Sequence, residues 1–287
     1  MLHVVCAMAY GDCLITLSQL EAIDPGADWQ LIGTGVTRRV SQLLRRPLPV
    51  VELLPDKAAF YTIKERGPLA AIRDYRHVRR ELRSRCRPGD HLAFERRDLR
   101  NSGLLPPGTA GFYPPLSPSV YDDRRALVQS LFGHSREWAP ARPPEQPVRR
   151  VLVNPCARYR RRHLSALLME NLLRLASDRN WELTLVDPCG AYGDWAPRVH
   201  AYLPRPDLAD AAARLREADL YLGPDSFFVH LAYYYRVPHL GFYYPDHLYF
   251  LTPGMREHGG WLAFDAVEDY ARLDAGVRRF LSAGSRT

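Results

Sequence analysis

Three short stretches of this chain combine charged side chains with a backbone that can bring them to a ligand. The first is Gly11-Asp12, directly behind the apolar run Leu2 to Met8. Glycine lets the backbone come close to a bound group, and a carboxylate within hydrogen-bond reach can take a proton from a hydroxyl. The same carboxylate is also placed to cap a helix beginning at Cys13, and the two uses can coexist. The second stretch is Asn154-Pro155-Cys156-Ala157-Arg158-Tyr159-Arg160-Arg161-Arg162-His163. Backbone amides and forked guanidinium groups together suit a diphosphate, although arginines in a turn serve equally as a solvated face. The third is Asp225-Ser226, with His230 one helical turn further on. These residues can hold a ligand at a helix N-terminus or simply cap the helix Phe227 to Tyr235, and a satisfied, partly buried histidine is the commoner fate of His230.

Other chemistries lack their signatures. The chain has no GxGxxG, no P-loop and no GxSxG elbow, so nicotinamide, nucleotide-hydrolase and serine-hydrolase readings lose their main support. The spacing of His, Asp and Glu suggests no metal site, and no cofactor is expected. The five cysteines, Cys6, Cys13, Cys86, Cys156 and Cys189, are odd in number and share no CxxC spacing. Structural zinc and a disulfide framework are therefore not expected, and a reducing cytoplasm is the default location.

The elements that position these stretches follow from the hydrophobic pattern. Leu2 to Met8 reads as a buried strand, Leu14 to Ile23 as a helix, Trp29 to Ile32 as a strand, Val36 to Leu44 as a helix and Val50 to Leu53 as a strand. That is βαβαβ, the opening of a doubly wound sheet. Ala70 to Arg85 continues as a basic helix and His91 to Glu95 as a strand, and the Pro- and Gly-rich residues Leu104 to Pro118 read as a loop. Gly133 to Pro147 is polar and proline-rich, which marks a stiff linker. A second alternation follows: strand Arg150 to Val153, helix His163 to Ser177, strand Glu182 to Val186, helix Leu208 to Glu217, strand Ala218 to Leu222 broken at Gly223-Pro224, helix Ser226 to Tyr235, strand Pro238 to Tyr243, and a closing helix Asp265 to Leu281. The expected organisation is an α/β chain of two Rossmann-like, doubly wound domains with a cleft between them: residues 1–135, a linker over 136–149, and residues 150–287.

Charge bounds the partners. The net charge is +7, and Lys57 and Lys64 are the only lysines, so nearly all the positive charge is arginine, the side chain best shaped for phosphate oxygens. An acidic substrate or an anionic membrane surface is implied, with a biased base composition as an equal account of the arginines. Nucleic acid is not expected, because no helix-turn-helix, zinc-finger or aromatic-basic sheet signature accompanies the charge. No apolar run approaches 18 residues, and the first residues lack the basic and small-residue features of a signal peptide.

Taken together, the three stretches resemble the heptosyltransferase family, glycosyltransferase family nine. Its members carry a glycine-aspartate turn after the first strand, here Gly11-Asp12 followed by Cys13-Leu14-Ile15-Thr16-Leu17. They carry a loop with a basic residue ahead of a helix in the second half, here Cys156 to His163, with Arg161 where the family usually has lysine. They carry an aspartate-threonine-glycine-x-x-histidine turn before a helix and a valine-proline strand, here Asp225-Ser226-Phe227-Phe228-Val229-His230 and Val237-Pro238. The order of the three matches, and the resemblance covers most of the chain. Ser226 replaces threonine, Phe227 replaces glycine, and Tyr244-Pro245-Asp246 stands where the family has glycine-proline-threonine.

The resemblance implies a GT-B fold and an inverting, metal-independent transfer of a sugar, a heptose for example, from a nucleotide-diphosphate donor to an anionic glycan or glycolipid of the lipopolysaccharide type. Asp12 would be the general base, with Gly11 beside the acceptor. Arg161, helped by Arg158, would stabilise the leaving diphosphate. Cys156, Ala157, Asp225, Ser226, Phe227 and His230 would hold the donor, Asp187 would bind a ribose hydroxyl and Leu208 would line the base pocket. Lys57, Lys64 and Arg66 would face the acceptor. The enzyme would be cytoplasmic, with possible peripheral contact at the inner face of the membrane. The alternative is a GT-B homologue without catalysis that binds a nucleotide sugar or a partner enzyme.

Overall fold

The computed structural model describes residues 1–24, 27–54, 67–138, 143–144 and 147–283. The chain divides into two compact units, Met1–Glu137 and Trp138–Thr287.

In the first unit, strands β1 (Leu2–Cys6), β2 (Trp29–Thr34), β3 (Val50–Leu54), β4 (His91–Phe94) and β5 (Ala110–Phe112) alternate with helices α1 (Tyr10–Leu20), α2 (Gly35–Ser41), α3 (Pro68–Arg85), α4 (Leu99–Leu104) and α5 (Val120–Phe132). All strand pairs are parallel and the sheet order is β3-β2-β1-β4-β5. The order reverses direction between β1 and β4, which leaves a crevice beyond their carboxyl ends. Val5, Ile32, Leu92 and Phe94 pack on one face against Val78 and Leu82 of α3. Each such buried side chain contributes roughly 1.5–3 kcal/mol relative to exposure.

The second unit repeats the scheme with β6 (Arg150–Val153), α6 (Ala166–Asp178), β7 (Glu182–Asp187), β8 (Ala201–Pro204), α7 (Leu208–Glu217), β9 (Leu220–Pro224), α8 (Phe227–Tyr235), β10 (His239–Tyr243), α9 (Pro253–His258), β11 (Trp261–Ala263) and α10 (Tyr270–Ala283). Its parallel sheet runs β11-β10-β9-β6-β7-β8, the strand order of a complete dinucleotide-binding domain with the reversal between β6 and β9. Alternate residues Val151, Val153, Leu183, Leu185, Leu220, Leu222, Leu240 and Phe242 share a core with α6 and α10. Leu152, Val186 and Tyr221, at intervening positions, are buried as well. Burial of both faces explains why these strands read as continuous apolar runs rather than as alternation.

Several expectations are corrected. The stretch Leu104 to Pro118 contains β5, an edge strand of three residues, and is flanked by α4 and α5. Gly223-Pro224 does not break the ninth strand but completes it, because a proline without an N–H is tolerated where a strand ends. The helix expected from His163 begins at Ala166, after Ser165 accepts a hydrogen bond from the Leu168 N–H at 3.2 Å. The cysteines are not all unpaired: Cys156 and Cys189 are joined as a disulfide across a separation of 33 residues, with Cα atoms 6.4 Å apart. Spacing along the sequence could not reveal this, because the two residues meet only through the pairing of β6 with β7.

Candidate functional site

In the first unit the reversal point brings the ends of β1 and β4 together. Asp12 lies in the first turn of α1, and the helix N-cap is Ala9, which makes no side-chain cap hydrogen bond. Asp12 is thus not the cap that its position in the sequence allowed; as a first-turn residue it faces the positive end of the helix dipole. Its Oδ1 is 3.7 Å from Nη2 of Arg124 on α5, and the arginine is 97% buried while Asp12 is 19% exposed. Gly11 adjoins it, half-buried.

Glu95 sits just beyond β4 in the same crevice and is buried. It accepts hydrogen bonds from Thr16 Oγ1 at 2.7 Å, Cys6 Sγ at 3.0 Å and the Ala7 N–H at 3.1 Å. Burial pushes its carboxyl above the usual glutamate range, opposed by the Arg124 charge and reinforced by that of Asp12. Glu95 and Arg124 were not among the sequence candidates. A glutamate at a strand end was visible, but its neighbourhood depends on the β1–β4 pairing, which is not local. Lys57, Lys64 and Arg66 lie outside the described residues.

In the second unit the reversal point brings the loop after β6 beside the turn after β9. Asn154 shapes that loop: its Oδ1 accepts from the Cys156 N–H at 2.8 Å and its Nδ2 lies 3.4 Å from Ser226 Oγ. Arg160–Arg162 form a 3-10 turn that sends successive guanidinium groups in different directions. Arg162 is buried, and its Nη1 donates to Asp225 Oδ2 at 2.5 Å. Arg158 and Arg161 are exposed, and the Arg161 carbonyl accepts from Tyr244 Oη at 3.1 Å. The arginine joined to the Asp225 turn is therefore Arg162, one place beyond the residue singled out in the sequence. His247 Nδ1 stands 3.3 Å from the same Asp225 oxygen.

Ser226 is the N-cap residue of α8 but makes no side-chain cap hydrogen bond. Its hydroxyl turns instead toward Asn154 and, at 3.4 Å, toward Tyr221 Oη. The Ser226 hydroxyl therefore does not supply the cap expected of it. Nε of Arg162 is buried without a hydrogen-bond partner among the described residues. Phe227 opens the helix half-buried, its ring centroid 5.6 Å from that of Phe228, and His230 is buried one turn on. Backbone and side chain both approach closely here. A Cβ on Gly223 would collide with the Tyr221 ring and stand 2.9 Å from the Asn154 carbonyl oxygen, so the strand end needs glycine.

Asp187, expected at a ribose hydroxyl, is fully buried at the end of β7. Its Oδ1 accepts from the Gly190 N–H at 2.8 Å, and its Oδ2 from the Tyr192 N–H at 2.8 Å and Tyr202 Oη at 2.9 Å. These bonds tie Asp187 into its own loop. Leu208 is half-buried at the first residue of α7, near the carboxyl end of β8. Cys156 is buried and Ala157 half-buried, the Ala157 carbonyl accepting from His163 Nε2 at 2.8 Å.

No protein-family model matches this sequence, and no curated protein matches it. Solved structures do match its fold. The E. coli heptosyltransferase WaaC with ADP-2-deoxy-2-fluoro heptose superimposes with a TM-score of 0.65 at 14% identity, over 98% of this chain and 99% of that one. This chain has the GT-B fold of the heptosyltransferases. A glycosyl transferase of family 9 from Veillonella parvula gives a TM-score of 0.66 at 12% identity, over 98% of this chain and 97% of that one. The E. coli ADP-heptose lps heptosyltransferase II gives 0.57 at 11% identity, over 98% of each. Among the described residues, no helix is long and apolar enough to cross a membrane.

Proposed function

We propose that this protein is an inverting, metal-independent glycosyltransferase that moves a sugar from a nucleotide-diphosphate donor to a hydroxyl of an anionic glycan or glycolipid. The observation that carries the reading is in the second unit. At its reversal point, an α8 N-terminus without a side-chain cap adjoins Arg162, whose Nε is buried and unpartnered. Backbone N–H groups and a buried guanidinium favour an anion of diphosphate kind. The heptosyltransferase WaaC has been crystallised with ADP and with a fluorinated ADP-heptose, which makes ADP-sugars the first donors to test.

In this reading Asp12 takes the proton of the acceptor hydroxyl as the new glycosidic bond forms, with Gly11 leaving room for the acceptor. Arg124, 3.7 Å away, orients that carboxylate. Arg161 and Arg158, exposed on the loop after β6, turn to the leaving diphosphate and offset the charge that builds on it, the role a divalent cation fills in other transferases. Asp225, Ser226, Phe227, His230, Cys156 and Ala157 shape the donor pocket, with Leu208 against the base. Lys57, Lys64 and Arg66 meet acidic groups of the acceptor.

Contact with an anionic membrane would run through α3. It presents Leu69 and Ile72 to solvent, and Arg73, Arg76, Arg79, Arg80, Arg83 and Arg85 are exposed along it. Salt-sensitive sedimentation with vesicles of anionic but not neutral phospholipid is the expected result; equal sedimentation with both would remove the membrane from the proposal.

A second reading is a homologue that binds a nucleotide sugar without turning it over, favoured by the aromatic Phe227 at the start of α8. The two separate in one assay. Nucleoside diphosphate released only when acceptor is present identifies the transferase, whereas saturable donor binding with no release across a panel of acceptors identifies the binding protein. Failure of any nucleotide diphosphate or its sugar to raise the melting temperature would overturn both.

A further inference from the structure

The loops after β6 and β7 gather a cluster of metal-ligating side chains, one of which, Cys156, also borders the proposed donor pocket. Cys156, His163 and Cys189 each bring a ligand atom, Sγ or a ring nitrogen, to within 4.8 Å of the others. Behind them, Asp187 Oδ1 stands 3.3 Å from Cys156 Sγ and 3.1 Å from Cys189 Sγ. As a disulfide the two sulfurs carry no proton; once reduced, either thiol is within reach of that carboxylate oxygen. The Cα separation of 6.4 Å is compatible with a disulfide and leaves the pair close enough to share one ion after modest side-chain rotation.

We infer that the reduced protein binds a thiophilic divalent cation, zinc in the first instance, through Cys156, Cys189 and His163, with the Asp187 carboxylate standing behind the two sulfurs. Two sulfurs and one imidazole are donors such an ion prefers, and a solvent molecule supplies the fourth position of a tetrahedral shell. The outer contacts are already built. A carbonyl only accepts, so the 2.8 Å contact of His163 Nε2 with Ala157 O fixes the proton on Nε2 and leaves Nδ1 with its lone pair. Ligating histidines are held in this way, the second ring nitrogen donating to a backbone carbonyl. Asp187 is anchored in turn by the Gly190 and Tyr192 amides and the Tyr202 hydroxyl.

A second group, Cys6, Cys13 and Glu95 in the first unit, is less suited. All three residues are buried and it has no imidazole. Binding releases the thiol protons and forms two metal–sulfur bonds with no change in oxidation state. Disulfide formation needs an external oxidant, a small-molecule disulfide for example, and excludes the ion.

The experiment uses the whole chain, reduced with a phosphine and freed of metal, titrated with zinc against a colorimetric chelator. One equivalent should bind, with affinity at least a hundredfold weaker in Cys156→Ser and in Cys189→Ser and unchanged in Cys6→Ser/Cys13→Ser. The oxidised protein should bind none. Where a serine variant does not fold, the wild type answers alone: cobalt should give thiolate-to-metal charge-transfer absorption, and zinc should slow alkylation of Cys156 and Cys189 at least tenfold by peptide mass. No uptake, uptake that survives both serine variants, or uptake abolished by Cys6→Ser/Cys13→Ser would overturn the inference. None of these readouts depends on glycosyl transfer, so they stand or fall apart from that reading.

Discussion

Arg162 and Asp225 meet as a buried pair, Nη1 to Oδ2 at 2.5 Å, joining the loop after β6 to the turn after β9 with both side chains more than nine-tenths out of solvent. Removing one partner leaves the other charged and desolvated, whereas removing both does not. Arg162→Ala should therefore cost about 3–5 kcal/mol of folding stability. The double variant Arg162→Met/Asp225→Leu should cost clearly less than the sum of its single changes. Denaturant melts of the four proteins give the coupling energy, and strict additivity would mean that the pair contributes nothing as a pair.

Asp12→Asn keeps the size of the side chain and its place in the first turn of α1 but removes the proposed base and the charge opposite Arg124. Turnover should fall by on the order of a hundredfold or more while donor affinity stays within about twofold. Equal turnover in the variant would leave Asp12 a structural partner of Arg124 alone.

Arg161→Ala tests the role proposed for this arginine at the leaving group. A guanidinium on the donor diphosphate acts in the ground state and more strongly in the transition state, so donor affinity and rate should fall together. An unchanged dependence of rate on donor concentration would move this role to another arginine of the loop.

His239 sets a pH dependence that has nothing to do with catalysis. Its ring lies buried between Val237 O and Thr252 Oγ1, each at 2.9 Å, and burial pushes it from 6.5 down to about 4. Between those values the unfolded chain takes up a proton that the folded chain refuses. Stability is therefore full above pH 6.5 and falls as pH drops toward 4, by roughly 3 kcal/mol in all. The stability difference between wild type and His239→Gln, followed by denaturant unfolding from pH 7 to 4.5, should shrink over this interval. A difference that stays constant would show that the ring titrates alike in both states.

Gly223→Ala tests the close packing at the end of β9. The added methyl meets the Tyr221 ring and the Asn154 carbonyl, so the variant should lose about 1–3 kcal/mol. Donor affinity should fall with it, because Asn154 and Ser226 are displaced together. Unaltered melting and binding would mean that the turn yields at no cost.

Much of this is legible in the sequence. Asp12 and Asp225 stood out because each follows an apolar strand and precedes a helix, a pattern contained within a dozen residues. The choice among Arg160, Arg161 and Arg162 was not legible: three identical side chains differ only in the direction that a 3-10 turn gives each. Glu95, Arg124 and the Cys156–Cys189 pair escaped for a related reason. Each acquires its partners through strand pairing or helix packing across dozens of residues, which local spacing cannot register. The short edge strands β5, β8 and β11 were hidden as well, since three or four residues carry too little periodicity to outweigh neighbouring prolines and glycines. The hydrogen bonds that tie both Asp187 oxygens to its own loop were hidden too, since they depend on the path of the chain beyond β7.

The two sheets count outward from their middles, β1 with β4 and β6 with β9, and end in the brief strands β5, β8 and β11. The candidate groups gather at the hub and the shortest strands lie at the rim, where residues can be added or removed without disturbing the central strand pairings.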